Sequence, residues 1–92
     1  MRIEFDPAKS ERNASERGLP FERAAEFDWG GALYREDTRR SYPERRFVAL
    51  GFLGNRLHVV CFTRIAGGVR IISLRKANSR EVRRYEEETA DR

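Results

Sequence analysis

Three consecutive runs, "RRFVALGFL", "RLHVVCFTR" and "VRIISLR", separated by the turn signals "GN" and "AGG", leave the middle and C-terminal part of this chain few options. Strand-length runs rich in β-branched and aromatic residues, joined by short glycine-bearing turns, predict antiparallel neighbours rather than helices. After Gly30 and Gly31 the run "ALYRED" adds a further strand, completing an antiparallel meander. If the "AGG" turn pairs Ile65 with Gly68, His58 lies opposite Arg75. His58, Val60, Phe62 and Arg64 then share one side with Val69, Ile71, Ser73 and Arg75, while Val59, Cys61, Ile72 and Leu74 form the opposite, core face. A one-residue slip would bring Arg64 opposite Arg70 instead.

The flanks read as a short strand and helices. "RIEF" alternates polar and apolar residues, and "DP" starts a helix with Asp6 as N-cap and Pro7 in the first turn, closed at Gly18. This helix, Pro7 to Arg17, has only Ala8 and Ala14 as apolar residues, so its ends must anchor it through Phe5, Leu19 and Phe21. Asn13 is expected to bind a turn. A second helix is expected from Pro20 to Phe27, with Phe21, Ala24 and Ala25 on one face and Trp29 extending the patch. Asn78 followed by Glu81 resembles a capping box and starts a last helix through about Glu88. In that helix Arg80, Arg83 and Arg84 precede Glu86, Glu87 and Glu88, an order that opposes the helix dipole. The arrangement therefore does little for helix stability, and either a solvated face or a site for negative charge would account for it.

Composition narrows the function classes. Ninety-two residues make one small domain, and 39% hydrophobic with 37% charged residues predicts a globular fold with a heavily charged surface. A net charge of +4, with Lys9 and Lys76 the only lysines among nineteen basic residues, favours anionic partners gripped by bidentate guanidinium groups. One cysteine and one histidine exclude an internal disulfide and the usual Cys and His metal clusters, so no metal or other cofactor is expected. The sequence carries no apolar run of signal-peptide or membrane-spanning length, which predicts a soluble, cytoplasmic protein with no membrane partner.

Over nearly the whole chain, and most specifically at its C-terminal pattern, the sequence resembles the BrnT family, the ribonuclease toxins of type II toxin–antitoxin systems, whose fold is similar to that of RelE-type toxins. The resemblance rests on Arg64, Arg70, Ile71, Ile72, Ser73, Arg75, Ala77, Glu81 and Tyr85, on Arg46, Phe47 and Gly51 in "RFVALG", and on Asp6, Lys9, Asn13, Gly18 and Phe21. Two positions depart from the family pattern. Phe5 stands where Trp is frequent, and "ERG", Glu16 to Gly18, replaces Lys-His-Gly, so a mechanism built on that family His has no counterpart here. The resemblance implies an α+β, RelE-like domain spanning residues 1–92, with two N-terminal helices, an antiparallel meander and a C-terminal helix. It also implies RNA as substrate and a BrnA-like antitoxin as partner in a hetero-oligomer, with operator DNA bound only through that complex.

RNA cleavage without a metal needs a proton removed from the ribose 2′-hydroxyl, charge stabilised on the phosphate, and a proton delivered to the leaving oxygen. Arg64, Arg75 and Arg80 are the candidates for the phosphate role, with Arg80 closing over the sheet from the last helix and Arg70 next in line. His58, Glu81, Tyr85 and Lys76 are candidates for proton transfer, set against readings of His58 as a packed strand residue, Glu81 as a cap and Tyr85 as a docking contact. Arg70, Ser73, Lys76, Arg84 and Tyr85 are expected to bind RNA. Two other classes stay open: a non-catalytic nucleic-acid-binding module stacking bases on Phe52 and Phe62, and a protein-interaction domain whose arginines meet an acidic partner.

Overall fold

A computed structural model describes all residues, 1–92. Strand β1 (Arg2–Glu4) leads through Asp6 into helix α1 (Pro7–Arg17), which spans the residues expected of it. The Asp6 side chain accepts from the Ala8 N–H, and Gly18 closes the helix in the left-handed region at φ 70°. With so little apolar surface, α1 is held by polar groups as well as by its ends. Asn13 Nδ2 donates to the carbonyls of Leu19 (2.6 Å) and Leu74 (2.8 Å), and Ser10 Oγ accepts from the Phe21 N–H while donating to Glu22. Phe5 packs edge-on against Phe21.

The second helix differs from expectation in kind. Phe21–Glu26 is a 3₁₀ helix, its end set by the Phe27 N–H donating to the Ala24 carbonyl. That tighter winding puts both Phe21 and Ala24 in the core, and the Ala24 carbonyl also accepts from the Trp29 indole at 3.0 Å.

Strands β2 (Leu33–Asp37), β3 (Arg46–Leu53), β4 (Arg56–Ile65) and β5 (Gly68–Lys76) form the antiparallel meander, and helix α2 (Ser79–Glu88) follows. The sheet as a whole is mixed rather than antiparallel. Its order is β1-β5-β4-β3-β2, with β1 added parallel to the outer edge of β5. Gly68 permits this close pairing, since a Cβ there would lie 1.8 Å from the Arg2 carbonyl oxygen.

The β4–β5 register follows the expected pairing from Ile65↔Gly68 to Phe62↔Ile71 and then slips at a bulge. Beyond it Cys61 faces Ser73, Val59 faces Arg75 and His58 faces Lys76. The extra residue reverses the side on which the rest of β5 points. The expected pairing of His58 with Arg75, and the grouping of Ser73 and Arg75 with Val69 and Ile71, are both overturned by it. Leu74 instead joins Val60, Phe62, Val69 and Ile71 in the larger core, a cluster of twelve buried residues beneath α1 and the 3₁₀ helix. Five buried residues, Val48, Leu50, Leu57, Val59 and Ala77, form a smaller core on the second face, where Val82 and Tyr85 of α2 dock.

Candidate active site

The second face is apolar only where α2 covers it. Under the helix, Leu33, Leu50, Val59 and Arg75 are cross-strand neighbours; next come Arg35, Val48, Cys61 and Ser73; at the open end Asp37, Arg46, Thr63, Arg70 and Glu4 cross all five strands in one row. That last row is an acid, an arginine, a threonine, an arginine and an acid.

Each arginine of the row is drawn outward. Arg70 reaches Glu4 at 3.0 Å, and the Arg46 guanidinium lies 4.2 Å over the ring of Tyr42. Tyr42 is itself fixed to Asp37, whose buried carboxylate accepts from the Tyr42 hydroxyl (3.2 Å) and from Arg39 Nε and Nη2 (2.9 Å each). The Arg39 guanidinium holds the Asp37 carboxyl far below the usual carboxylate range. Between the two arginines the Thr63 hydroxyl is buried and has no hydrogen-bond partner. A cavity of about 200 Å³ opens there, lined by Lys9, Glu44, Arg46, Thr63, Arg70 and Ile72 among others. Lys9, Arg35 and Arg46 make no ion pair, so three cations at this end of the face have no carboxylate within salt-bridge distance.

Arg75 marks the boundary with the helix. Its Nη1 and Nη2 donate to the two Glu81 oxygens at 2.9 and 2.8 Å, while Glu81 Oε1 also accepts the Asn78 N–H at 2.8 Å in the capping box. The Arg75 hydrogen bonds, partly opposed by burial, bring the Glu81 carboxyl down to about 2, so it is ionised at neutral pH and too weak a base to take a proton there. Glu81 thus orients Arg75, whose Nη1 also donates to the Lys76 carbonyl at 3.2 Å, leaving Nε and the second Nη2 hydrogen for an anion.

The other candidates do not converge on this point. Arg64 lies on the opposite face, its guanidinium 4.5 Å over the ring of Phe47, and five positions along β4 from Val59, the partner of Arg75, or roughly 16 Å. The bulge is the reason: without it Arg64 and Arg75 would share a side. Arg80 is exposed and free of hydrogen bonds and ion pairs, about 200° round α2 from docked Val82, and does not close over the sheet. His58 is buried on the first-face side, with Nδ1 2.8 Å from the Arg56 carbonyl, and burial pushes its pKa down. Lys76 pairs with it in the register. Arg84 pairs with Glu88 at 3.3 Å, and Tyr85 anchors α2 by donating to the Gly31 carbonyl at 3.1 Å and packing edge-on against Phe52. Of the two phenylalanines expected to stack bases, Phe62 is buried and only Phe52 is exposed.

Of the expected residues, the structure keeps Arg70, Ser73, Arg75 and Glu81 on one face and adds Arg35, Arg46 and Thr63 there, with Lys9 of α1 at the rim of the cavity. Arg46 stood out only as a position of the family resemblance in "RFVALG", without a role; nothing local marked Thr63, whose importance comes from its neighbours on other strands. No set of three or more His, Cys, Asp and Glu side chains is placed to hold a metal ion, and no helix is long and apolar enough to cross a membrane.

A family model described as the ribonuclease toxin, BrnT, of type II toxin–antitoxin systems matches residues 5–81. This chain belongs to the BrnT family. The match runs from Phe5 through Glu81, taking in the whole sheet from β2 to β5 and the orienting partner of Arg75. As a BrnT family member the chain is a type II toxin ribonuclease with an antitoxin partner. Comparison with curated proteins gave no match.

Proposed function

We propose that this toxin cleaves RNA on the open end of its second sheet face, without a metal ion, and thereby blocks translation and growth. The observation that carries the reading is the set of cations there without a carboxylate partner, Lys9, Arg35 and Arg46, beside an Arg75 oriented by Glu81. The strand lies along the face with its phosphates against these groups. At the scissile phosphate the 2′-oxygen bonds to phosphorus as the bond to the 5′-oxygen breaks, giving a 2′,3′-cyclic phosphate and a free 5′-hydroxyl. The 2′-proton leaves to water and the 5′-oxygen takes one from water. Arg75 stabilises the charge that builds on the non-bridging oxygens, an effect worth about 3 kcal/mol for one well-placed donor. The RelE-like reading of the fold, drawn from the resemblance, fits an open sheet face used in this way. The antitoxin covers the same face through acidic residues, so its association slows as salt rises, and operator DNA is bound by the toxin–antitoxin complex.

The test is incubation with RNA in EDTA. Fragments ending in 2′,3′-cyclic phosphate are expected at an undiminished rate; activity that disappears in EDTA and returns with added metal overturns the mechanism.

A further inference from the structure

The row across the open end of the sheet contains one group that neither the fold nor the chemistry at Arg75 uses. Thr63 is 4% exposed, and its hydroxyl is the one buried side-chain oxygen or nitrogen with no hydrogen-bond partner. A hydroxyl left in this state destabilises the fold, whereas valine would fill the same space without that cost. Its two register neighbours, Arg46 and Arg70, are both held away from it, one by the Tyr42 ring and the other by Glu4, and the cavity opens between them with Lys9 at its rim. Three cations line the cavity beside the unsatisfied hydroxyl, Arg70 paired with Glu4 while Lys9 and Arg46 are unpaired, against one rim carboxylate, Glu44. This geometry suits a tetrahedral oxyanion, which can accept from a hydroxyl and two guanidinium groups together.

We propose that the Thr63 cavity is a phosphate subsite, holding a backbone phosphate of the RNA other than the one at Arg75. The inference rests on the reading of the second face as the RNA-binding surface. Thr63 lies four positions along β4 from Val59, the partner of Arg75, roughly 13 Å away, and Arg75 leans toward α2. One phosphate therefore does not serve both, and the subsite fixes the direction and register of the strand. The binding needs no new fold: Arg46 and Arg70 turn inward from Tyr42 and Glu4 onto the phosphate, and Thr63 Oγ1 donates from below.

The experiment separates binding from cleavage by using a single-stranded 2′-O-methyl RNA, which cannot be cut by 2′-oxygen attack. Thr63→Val is expected to weaken its binding at least fivefold while leaving the melting temperature equal to or above that of the wild type. Lys9→Ala is expected to flatten the dependence of log K on log salt by about 0.7, the loss of one phosphate contact on a single strand. Inorganic phosphate should compete with the oligonucleotide in the wild type and compete more weakly in Thr63→Val. Unchanged binding in Thr63→Val overturns the subsite, as does a variant that binds RNA normally but escapes the antitoxin, which would assign the cavity to an acidic side chain of that partner. If the wild-type protein binds the oligonucleotide with this pattern yet cuts no RNA, the cleavage mechanism fails and the subsite stands.

Discussion

The two faces of the sheet are covered to very different extents. On the first, α1 and the 3₁₀ helix lie over a cluster of twelve buried residues, with Ile3, Phe5, Trp29 and Phe47 packed at its margin. On the second, α2 alone covers five. Length accounts for part of the difference: a helix of ten residues spans about 15 Å, whereas β4, with ten residues, runs about 33 Å. Half of the second face has no helix to bury it, and the residues there are Arg35, Arg46, Thr63 and Arg70 rather than an apolar stripe. An uncovered sheet face needs such charge to stay hydrated, and in this chain the same charge supplies the anion site.

If the first face carries the stability and the second the function, matched substitutions should separate them. Leu74, fully buried in the first core, and Leu57, in the second beside a concavity of about 690 Å³ along α2, have the same side chain in different surroundings. Leu74→Ala is expected to cost about 4–5 kcal/mol and Leu57→Ala about 2–3 kcal/mol, because the site next to the concavity can relax. For a domain of this size the first loss approaches total stability. Denaturant midpoints measure both, and equal losses would break the contrast.

The next largest effect is on cleavage. Arg75→Ala is expected to lower kcat/KM at least tenfold, or about 1.4 kcal/mol, with Lys restoring only part of it, whereas Arg64→Ala stays within about twofold. A large loss at Arg64 with intact folding would move the chemistry to the first face.

That pair also shows where the sequence was legible. Asp6, Gly18, Asn78 and Glu81 sit at helix ends, where the signal lies within a few residues of its effect, and both ends of α1 and the start of α2 could be read from them. The expected Arg64, Arg75 and Arg80 pocket depended on strand parity across a bulge between Phe62 and Cys61, which no turn or glycine announces. A single extra residue, Ile72, moved Ser73 and Arg75 to the other side. The parallel pairing of β1 was hidden for a related reason: it depends on Gly68 meeting Arg2, which are 66 positions apart in the chain.

A smaller effect tests whether Glu81 serves Arg75 and the cap together. Its carboxyl, lowered from an ordinary 4.5 to about 2, is a depressed acid, so the stability it contributes is complete above about pH 4.5 and is lost as pH falls toward 2. Because the pair is partly solvated, Glu81→Gln should cost about 1 kcal/mol at pH 7, with wild type and variant converging near pH 2. In the same variant cleavage should fall as Arg75 loses its orientation, chiefly in kcat. A variant that loses stability but cleaves normally would reduce Glu81 to a helix cap.

The smallest effect concerns His58, and it asks whether the first face is only structural. Burial depresses its pKa, with the positive charges of Arg56, Lys76 and Arg23 acting in the same direction and the hydrogen bond to the Arg56 carbonyl opposing them. For a base that direction means the unfolded chain binds the proton more readily. The folded protein is therefore most stable above the ordinary value of 6.5 and loses a little stability as pH falls through that value toward the lower folded one. His58→Asn keeps a donor for the Arg56 carbonyl but cannot titrate, so its stability should stay level between pH 7 and 5 while that of the wild type declines. Cleavage should not register the change. With Glu81 too acidic and the half-buried Cys61 thiol pushed up mainly by desolvation, no group on the second face has a pKa tuned near neutrality, and log kcat/KM should rise smoothly with pH from 6 to 8 in both proteins. An inflexion near pH 6 that is present in the wild type and absent from His58→Asn would mean that the imidazole moves a proton in the reaction. The separation of stability from function between the two faces would then fail at His58, even if Arg75 proved essential.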